Sequence, residues 1–232
     1  MHDLLFAPPA PRTVPVRGTR AAFPVHRIFC VGRNYADHAR EMGAEVDREA
    51  PFYFLKAPHA VELSGAVQPY PPGTSDYQHE MELVVAIGAP AFRATPDQAR
   101  AAVFGYAAGL DMTRRDLQAA AKDKRRPWDT GKDFEGAAVI APITRAEDFG
   151  LPGARAITLR VNGAPRQAGH LSDMVWGIED LICHLSTLYH LGPGDLIYTG
   201  TPAGVGAVQP GDVIEGVIEG LDPVRLTIGP AE

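Results

Sequence analysis

The segment HEMELVVAIG, residues 79–88, is apolar on both faces of a strand, yet it begins with two carboxylates. Residues two apart in a β-strand share a face, so Glu80 and Glu82 point the same way, toward a face that continues with apolar residues. This pattern predicts a buried strand. Two carboxylates at this spacing raise each other's pKa unless a cation, a proton or water compensates their charge.

A third carboxylate offers a chemical reason for the presence of Glu80 and Glu82. Asp111 follows an apolar, strand-like run and precedes a polar turn or helix in GLDMTRRDLQ, residues 109–118. Together with Glu80 and Glu82 it would form an all-oxygen site, which suits a hard divalent cation such as Mg²⁺, Mn²⁺ or Ca²⁺. The alternative is that the two glutamates lie on a solvated strand edge and that Asp111 caps a helix. Spacing alone does not separate these two interpretations.

A second candidate pair lies in CVGRNYADHAREMG, residues 30–43, where His38 and Glu41 are three positions apart and therefore adjacent on a helix. A carboxylate beside an imidazole raises its basicity and fixes its orientation, as a base that deprotonates water requires. Considered alone, the pair is better explained as an ordinary surface pair on a charged helix.

Two glycine-bearing segments are candidates for ligand contact. They are PWDTGKDF, which contains Lys132, and IYTGTPAGVG, which contains Thr199 and Thr201. Glycine lets the backbone approach a ligand closely, and a neighbouring lysine or threonine can bind an anionic oxygen. Neither segment matches a phosphate-binding loop or a dinucleotide-binding motif. Each is a weak signal in isolation, because ordinary turns use the same residues.

The composition predicts a strand-rich α+β fold. The 232 residues are 45% hydrophobic, enough for one sizeable core, and 24 glycines with 21 prolines favour short strands joined by tight turns. Candidate strands are RIFCVG, FYFLK, MELVVAIG, VFGYAAGLDM, GAAVIAP, ITLRVNG, DLIYTG and DVIEGVIEG, and candidate helices are YADHAREMG, TPDQARAAV and IEDLICHLSTLY. We expect a short N-terminal extension, residues 1–26, with a small strand pair, before a single catalytic domain, residues 27–232.

Charge and cysteine content narrow the partners and the location. A net charge of −6, with basic residues scattered apart from KDKRR at residues 122–126, argues against nucleic-acid binding, and that cluster is better explained as a solvated loop or helix end. Cys30 and Cys183 lie in apolar runs and predict reduced core thiols. No apolar stretch has the length of a membrane span, and the start MHDLLFAPPAPR is too short and too proline-rich for a signal peptide. We therefore expect a cytoplasmic protein that does not contact membranes.

Taken together and in this order, the segments resemble the fumarylacetoacetate hydrolase family from about residue 27 to about residue 217. The blocks that carry the resemblance are VGRNYADHAREMG, the ExE of HEMELVVAIG, GLDMTRRDLQ, the lysine of PWDTGKDF, VNGAPRQ and GDLIYTGTPAGVG. The resemblance implies a mixed β-roll or sandwich with flanking helices, and usually a homodimer. Within the family the chain is most similar to bacterial acylpyruvate hydrolases, including those of fumarylpyruvate.

The resemblance also implies roles for nine residues. They are Glu80, Glu82 and Asp111 as ligands of a divalent metal, Mg²⁺ first with Mn²⁺ or Ca²⁺ as alternatives; His38 and Glu41 as the water-activating pair; Lys132 beside the metal; and Arg115, Gln118 and Thr201 as substrate contacts. The segment RQAGHLSDMVW departs from many relatives at Gly169 and His170, close to where the site entrance is expected. That departure leaves the choice of substrate open.

The implied activity is hydrolysis of the carbon-carbon bond of an acylpyruvate, a 2,4-dioxo acid, such as fumarylpyruvate to fumarate and pyruvate. His38 would take a proton from the attacking water, and Lys132 or a donor near it would stabilise the oxyanion. Arg114, Arg125 and Arg126 are candidates for the remote carboxylate; all three are equally explained as surface charges, and this interpretation is favoured for Arg125 and Arg126. The alternatives are oxaloacetate decarboxylation or dienoate tautomerisation on the same metal, and a non-catalytic keto-acid binding protein.

Overall fold

The computed structural model describes residues 5–43 and 48–231. Residues 1–4 of the predicted extension, and residues 44–47 and 232 of the predicted domain, lie outside the described residues. No helix in the described ranges is long and apolar enough to cross a membrane.

Strands dominate the described part of the chain. They are β1 (Thr13–Pro15), β2 (Ala22–Pro24), β3 (Arg27–Gly32), β4 (Phe52–Lys56), β5 (Val61–Leu63), β6 (Ala66–Tyr70), β7 (Tyr77–His79), β8 (Met81–Ile87), β9 (Val103–Asp111), β10 (Thr113–Arg114), β11 (Ala138–Ile140), β12 (Thr144–Arg145), β13 (Ala156–Val161), β14 (Ala164–His170), β15 (Asp195–Tyr198), β16 (Gly206–Ala207), β17 (Val213–Ile218) and β18 (Val224–Ala231). The helices are α1 (Ala36–Glu41), α2 (Pro96–Ala102), α3 (Arg115–Asp123), α4 (Asp129–Lys132), α5 (Ala146–Phe149) and α6 (Ile178–Leu188). The strand-rich α+β prediction is confirmed.

The largest sheet contains the strand that opened the sequence analysis. Its order is β4-β3-β15-β8-β9-β11-β5, with β12 also paired to β9, and it is mixed because β15 runs parallel to β3 and β11 parallel to β5. All seven residues of β8 are buried between β15 and β9. A strand buried on both faces must be apolar on both faces, which explains its composition.

A second sheet, in the order β14-β13-β17-β18-β6, packs against the first. One cluster of buried apolar side chains includes residues of both sheets, such as Leu83 of β8 and Ile214 of β17. Val14 of β1 and Phe23 of β2 belong to the same cluster, so the predicted N-terminal strand pair forms and packs onto the main core. The division of the chain at residue 27 stays a prediction.

The strand ends bring the polar segments together. Because β8 and β9 are antiparallel, the start of one lies beside the end of the other, and the N–H of Asp111 donates to the C=O of Glu80 at 2.9 Å. Helix α3 begins at Arg115, shortly after Asp111. The glycine-rich loop that follows β15, residues 199–206, reaches the same end of β8, where Gly200 N–H bonds the side chain of Glu82.

Candidate active site

The three predicted metal ligands form one buried cluster. Glu82 lies in β8, Glu80 directly precedes it and Asp111 ends β9. Each side chain places an oxygen within 4.8 Å of the others, and each residue is at most 5% exposed. The structure therefore brings together three residues that are 31 positions apart at most in the sequence, and it excludes the solvated-edge interpretation.

Two of the carboxylates are neutralised by cationic side chains. The Nζ of Lys132 donates to Glu80 Oε2 at 2.7 Å, to Asp111 Oδ2 at 2.9 Å and to Thr113 Oγ1 at 2.7 Å. Arg115 Nη2 donates to Glu80 Oε1 at 2.5 Å. Burial acts to raise the pKa of Glu80, but the charges of Lys132 and Arg115 outweigh burial and hold that pKa well below its ordinary value.

The contacts of Lys132 bear on its predicted role. An ammonium group has three N–H donors, and all three are used by the two carboxylates and the hydroxyl of Thr113. Donation to a substrate oxyanion would require the release of one of these acceptors. Burial lowers the pKa of Lys132, but Asp111 and Glu80 outweigh it, so the pKa is raised and the side chain is charged.

Glu82 is held differently from Glu80. Its Oε2 accepts the N–H of Gly200 at 2.8 Å, and no cation forms an ion pair with it among the described residues. Burial, then Asp111 and Glu80, raise the pKa of Glu82 well above its ordinary value. Gly200 has φ +96°, and a Cβ there would lie 2.8 Å from the Cβ of Asn34, so only glycine fits this contact.

This uncompensated carboxylate tests whether a metal fits the site. A divalent cation among the three clustered oxygens would supply the positive charge that Glu82 lacks. Three carboxylates and no sulfur or imidazole within the cluster make a donor set for a hard cation of the Mg²⁺ or Mn²⁺ kind. The residues present therefore fit the predicted metal.

Lys56 is a site residue that the sequence did not indicate. It ends β4, its side chain is fully buried, and its Nζ lies 2.8 Å from Asp111 Oδ1. It also donates to the C=O groups of Met112 and Lys132. Glu80 and Asp111 thus share three cations, Lys56, Lys132 and Arg115. The available signal was a lysine at the end of the otherwise apolar run FYFLK.

His38 and Glu41 lie on α1 as predicted. His38 is buried, and its Nδ1 lies 3.2 Å from Glu41 Oε2. Since a carboxylate can only accept, Nδ1 carries the proton in this contact and the neutral ring keeps its lone pair on Nε2. Glu41 in turn accepts the N–H of Gly204, at 3.1 and 3.2 Å from its two oxygens. The Glu41 side chain is therefore oriented by a contact outside α1, with Gly204, as well as by its contact with His38 within the helix.

One cavity, of about 30 Å³, is lined both by the carboxylate cluster and by His38 of the His38–Glu41 pair. Seven of the nine predicted site residues line it: His38, Glu80, Glu82, Arg115, Gln118, Lys132 and Thr201. The other two act behind this surface, since Glu41 contacts His38 and Asp111 contacts Lys132.

The predicted substrate contacts converge on this cavity. Arg115 and Gln118 are three apart on α3, and Arg115 Nη1 donates to Gln118 Oε1 at 2.7 Å. Arg115 Nε also donates to Gln78 Oε1 at 2.9 Å, which fixes the guanidinium between α3 and β7. Thr201 approaches from the glycine-rich loop, where its Oγ1 accepts a hydrogen bond from Gln167 at 2.7 Å.

The three arginines considered for a remote carboxylate do not line the cavity. Arg114 stacks on the ring of Phe134 at 4.2 Å and lines a separate depression. Arg125 is exposed, and Arg126 lines an apolar groove beside Trp128. The expectation that one of them faces the substrate does not agree with this geometry.

Two other basic residues line the cavity instead. Arg33 directly follows β3 with φ +57°, an uncommon conformation for a residue with a side chain. Lys122 lies on α3, half-buried, with its Nζ 4.8 Å from the centre of the Trp128 ring. Burial, then the charges of Arg115 and Arg33, lower the pKa of Lys122. No carboxylate of the described residues forms an ion pair with either cation.

A protein-family model described as "Fumarylacetoacetate (FAA) hydrolase C-terminal" matches residues 27–229. The chain belongs to the fumarylacetoacetate hydrolase family. This confirms the resemblance, the predicted fold and the predicted enzyme class.

Known members of the fumarylacetoacetate hydrolase family are similar over most of the chain. A fumarylpyruvate hydrolase of Ralstonia sp is 53% identical over 193 residues, which cover 82% of this chain and 100% of that protein. An oxaloacetate tautomerase of Escherichia coli is 38% identical over 207 residues, 88% of this chain and 93% of that protein. The crystal structure of fumarylpyruvate hydrolase from Pseudomonas aeruginosa in complex with Mn²⁺ and pyruvate has a TM-score of 0.95 at 44% identity, covering 98% of this chain and 100% of that one.

Proposed function

We propose that the protein is a metal-dependent acylpyruvate hydrolase that cleaves fumarylpyruvate into fumarate and pyruvate. The observation that carries this proposal is that His38 lines the same cavity as Glu80 and Glu82, so a base lies beside the proposed metal ligands. The 53% identity to a fumarylpyruvate hydrolase supports the substrate, and the similar structure with Mn²⁺ and pyruvate supports the metal and one product.

In this proposal Glu80, Glu82 and Asp111 hold one divalent cation, Mg²⁺ or Mn²⁺, with Ca²⁺ as a weaker alternative. When bound, the cation acts as a Lewis acid for the negative charge that develops on the 2-oxo acid. Lys56 and Lys132 keep Asp111 in place, and Gly200 N–H orients Glu82. These contacts hold the ligands before the cation arrives, which reduces the cost of ordering them.

His38 acts as the general base of the proposed reaction. Its Nε2 takes a proton from a water molecule, and the resulting hydroxide attacks the acyl carbonyl carbon of the substrate. The bond from that carbon to the methylene carbon of the pyruvate part then breaks, and its electron pair stays on the methylene carbon. The proton held by His38 returns to this carbon, which gives pyruvate and fumarate. Glu41 stabilises the charged imidazole between the two steps.

Arg115, Gln118 and Thr201 are the proposed substrate contacts. All three line the cavity, and the guanidinium of Arg115 supplies the fixed donor geometry that a carboxylate prefers. We propose that Lys132 acts through Glu80 and Asp111, because all of its donors are engaged there. In this proposal Lys132 stays beside the metal. The oxyanion is stabilised by another donor, one whose N–H or O–H is not already hydrogen-bonded.

Arg33 and Lys122 are the proposed contacts of the remote carboxylate of fumarylpyruvate. The three buried carboxylates and three buried cations cancel, so a bound divalent cation and the Glu41 carboxylate leave one positive charge, and Arg33 and Lys122 add two more. Such a cavity favours a dianion over a monoanion. This charge balance is the reason to choose fumarylpyruvate among acylpyruvates.

A second candidate function is tautomerisation or decarboxylation of oxaloacetate on the same residues. The similarity to an oxaloacetate tautomerase favours it. The His38–Glu41 pair favours hydrolysis over decarboxylation, because decarboxylation requires no activated water. Both functions keep the metal ligands, so the products decide between them.

The assembly and the location complete the proposal. We propose a homodimer, as the resemblance implies, and a cytoplasmic location. The two cysteines are free, which suits a reducing compartment. Light scattering on the purified protein tests the dimer.

The deciding experiment is an ultraviolet assay of metal-stripped protein with fumarylpyruvate, acetylpyruvate and oxaloacetate, each with and without added Mn²⁺ or Mg²⁺. We expect metal-dependent loss of the dioxo-enol absorbance of fumarylpyruvate, with equal amounts of pyruvate and fumarate by chromatography. Turnover of oxaloacetate with no cleavage of either acylpyruvate would overturn the hydrolase and leave the metal site standing.

A further inference from the structure

Gln167 is a buried residue of β14 whose amide is fully bonded. Its Oε1 accepts from the backbone N–H of Met81 and from Nδ1 of His79, each at 3.0 Å. Its Nε2 donates to Thr201 Oγ1 and to the C=O of Pro202, each at 2.7 Å. The residue is 1% exposed, so water cannot substitute for these partners. Gln167 therefore links the start of β8 to the glycine-rich loop.

The orientation of this amide is fixed by its backbone partners. A backbone N–H can only donate and a carbonyl oxygen can only accept, so Oε1 must face Met81 and Nε2 must face Pro202. Because Oε1 only accepts, His79 must carry its proton on Nδ1. The reversed amide would place two donors, or two acceptors, against each other in a buried site.

This orientation determines what the Thr201 hydroxyl can do. Oγ1 accepts from Gln167, so its own proton is left for another partner. In the described part of the chain no acceptor is bonded to that proton, and Thr201 lines the cavity while being only 2% exposed. The remaining direction for its O–H bond is therefore toward the cavity.

We infer that Gln167 is a positioning residue that makes the Thr201 hydroxyl a hydrogen-bond donor to the carboxylate or 2-oxo oxygen of the substrate. The identity of that substrate rests on the proposed function. The chemistry is general to oxo acids, because their carboxylate and carbonyl oxygens are all acceptors. A freely rotating hydroxyl could present its lone pairs to these oxygens, and Gln167 prevents this by occupying the acceptor side.

The test is a double-mutant cycle on oxalate binding, measured by calorimetry with Mn²⁺-loaded protein. Oxalate is a small dianion with acceptor oxygens only. We expect Thr201→Val to weaken oxalate binding about 10-fold, the scale of one hydrogen bond to a charged group, and Gln167→Met to weaken it by a smaller factor, because the hydroxyl remains but is no longer oriented. We expect the double variant to bind within about 2-fold of Thr201→Val, because Gln167 acts only through the hydroxyl that this substitution removes.

Two matched controls separate this role from general stability. Thr144→Val changes a buried threonine outside the cavity, and Gln68→Met changes a buried glutamine that bonds the C=O of Glu135. Neither should alter oxalate affinity. Thr201→Ser keeps the hydroxyl and should retain oxalate binding, which a purely steric role of the side chain would not predict.

The possible results distinguish this inference from the proposed function. Additive losses in the cycle, with oxalate binding intact in the wild type, would overturn the role of Gln167 alone. No oxalate binding by the wild type would overturn both. If Gln167→Met unfolds, Gln167→Glu takes its place, because it keeps the acceptor for Met81 and His79 but cannot donate to Thr201. Unfolding of both variants would show that Gln167 is a structural residue and would overturn the inference.

Discussion

The carboxylate cluster and the His38–Glu41 pair are held by opposite means. Glu82 and Asp111 lie in strands, Glu80 lies between β7 and β8, and buried cations pair with Glu80 and Asp111. The pair lies on a six-residue helix, and the Glu41 side chain is 34% exposed, against 1% for that of Asp111. Changes in the cluster should therefore alter metal affinity, and also folding stability where they leave a buried charge without its partner. Changes in the pair should alter turnover and leave the rest intact.

The largest effect is expected at Glu82. Glutamine is the uncharged counterpart of the protonated carboxyl that the raised pKa favours, so Glu82→Gln should keep the melting temperature of the metal-free protein. Mn²⁺ affinity should fall about 10²-fold or more and turnover should be lost, because a ligand matters at least as much as an outer contact. Glu82→Ala should lose metal and activity in the same way.

Calorimetric titration with Mn²⁺ and thermal unfolding with and without the metal check this prediction. Glu219→Gln, an exposed glutamate, is the matched control and should bind Mn²⁺ normally. Full Mn²⁺ occupancy in an active Glu82→Ala protein would remove Glu82 from the ligand set.

The next effect is expected at Lys132. Lys132→Met leaves Glu80 and Asp111 buried with one cationic partner fewer each. We expect the metal-free protein to lose about 3–5 kcal/mol of unfolding free energy, the usual loss when one partner of a buried ion pair is removed. Urea denaturation measures it, and Lys124→Met, at an exposed position on the same segment, serves as the control. An unchanged denaturation midpoint would contradict the role given to Lys132.

The pair itself is the third target. His38→Ala should lower kcat about 10²-fold with Mn²⁺ affinity unchanged, because it removes the base but no metal ligand. Glu41→Gln should lower kcat less, since it keeps an acceptor for His38 and loses the charge and one of the two oxygens that accept from Gly204. Steady-state kinetics on fumarylpyruvate measure both, with exposed His59→Ala as the control. A loss of Mn²⁺ binding in His38→Ala would mean that His38 also supports the metal site. The carboxylate cluster and the His38–Glu41 pair would then not act separately.

The sequence predicted the parts of the fold that depend on local pattern. The fully apolar β8 and the capped helix α2, where Thr95 and Gln98 bond each other's backbone, follow from short-range rules. Strand β14 escaped prediction because it begins with Ala-Pro and is largely exposed at the edge of its sheet. Strand β18 escaped because Gly229 and Pro230 interrupt a pattern that its pairing with β17 and β6 stabilises.

The residues of the site also divide into those that local sequence patterns indicate and those that they do not. Glu80, Glu82 and the His38–Glu41 pair are close in sequence, so their spacing could indicate shared faces. Lys56 and Gln167 act on partners 56 and 34 positions away in the chain, at Met112 and Thr201 respectively. No local pattern encodes such contacts, because they arise from the pairing of distant strands.

The smallest expected effect is the one that bears on substrate choice. Lys122 lines the cavity half-exposed, so its attraction for a remote carboxylate is partly screened by water. Lys122→Met should raise KM for fumarylpyruvate about 3- to 10-fold, the range for one partly screened charged contact. It should leave KM for acetylpyruvate, which has no second carboxylate, unchanged.

The comparison of the two substrates isolates charge recognition from packing, because methionine keeps most of the length of the lysine side chain while removing the ammonium group that lies over the Trp128 ring. Lys124→Met, two positions along the chain and exposed, should change neither KM. Equal rises in KM for both substrates would mean that Lys122 supports the structure of the cavity and does not recognise the acyl group. A rise for fumarylpyruvate alone would place the recognition of the acyl carboxylate at the rim of the cavity, away from both the carboxylate cluster and the His38–Glu41 pair.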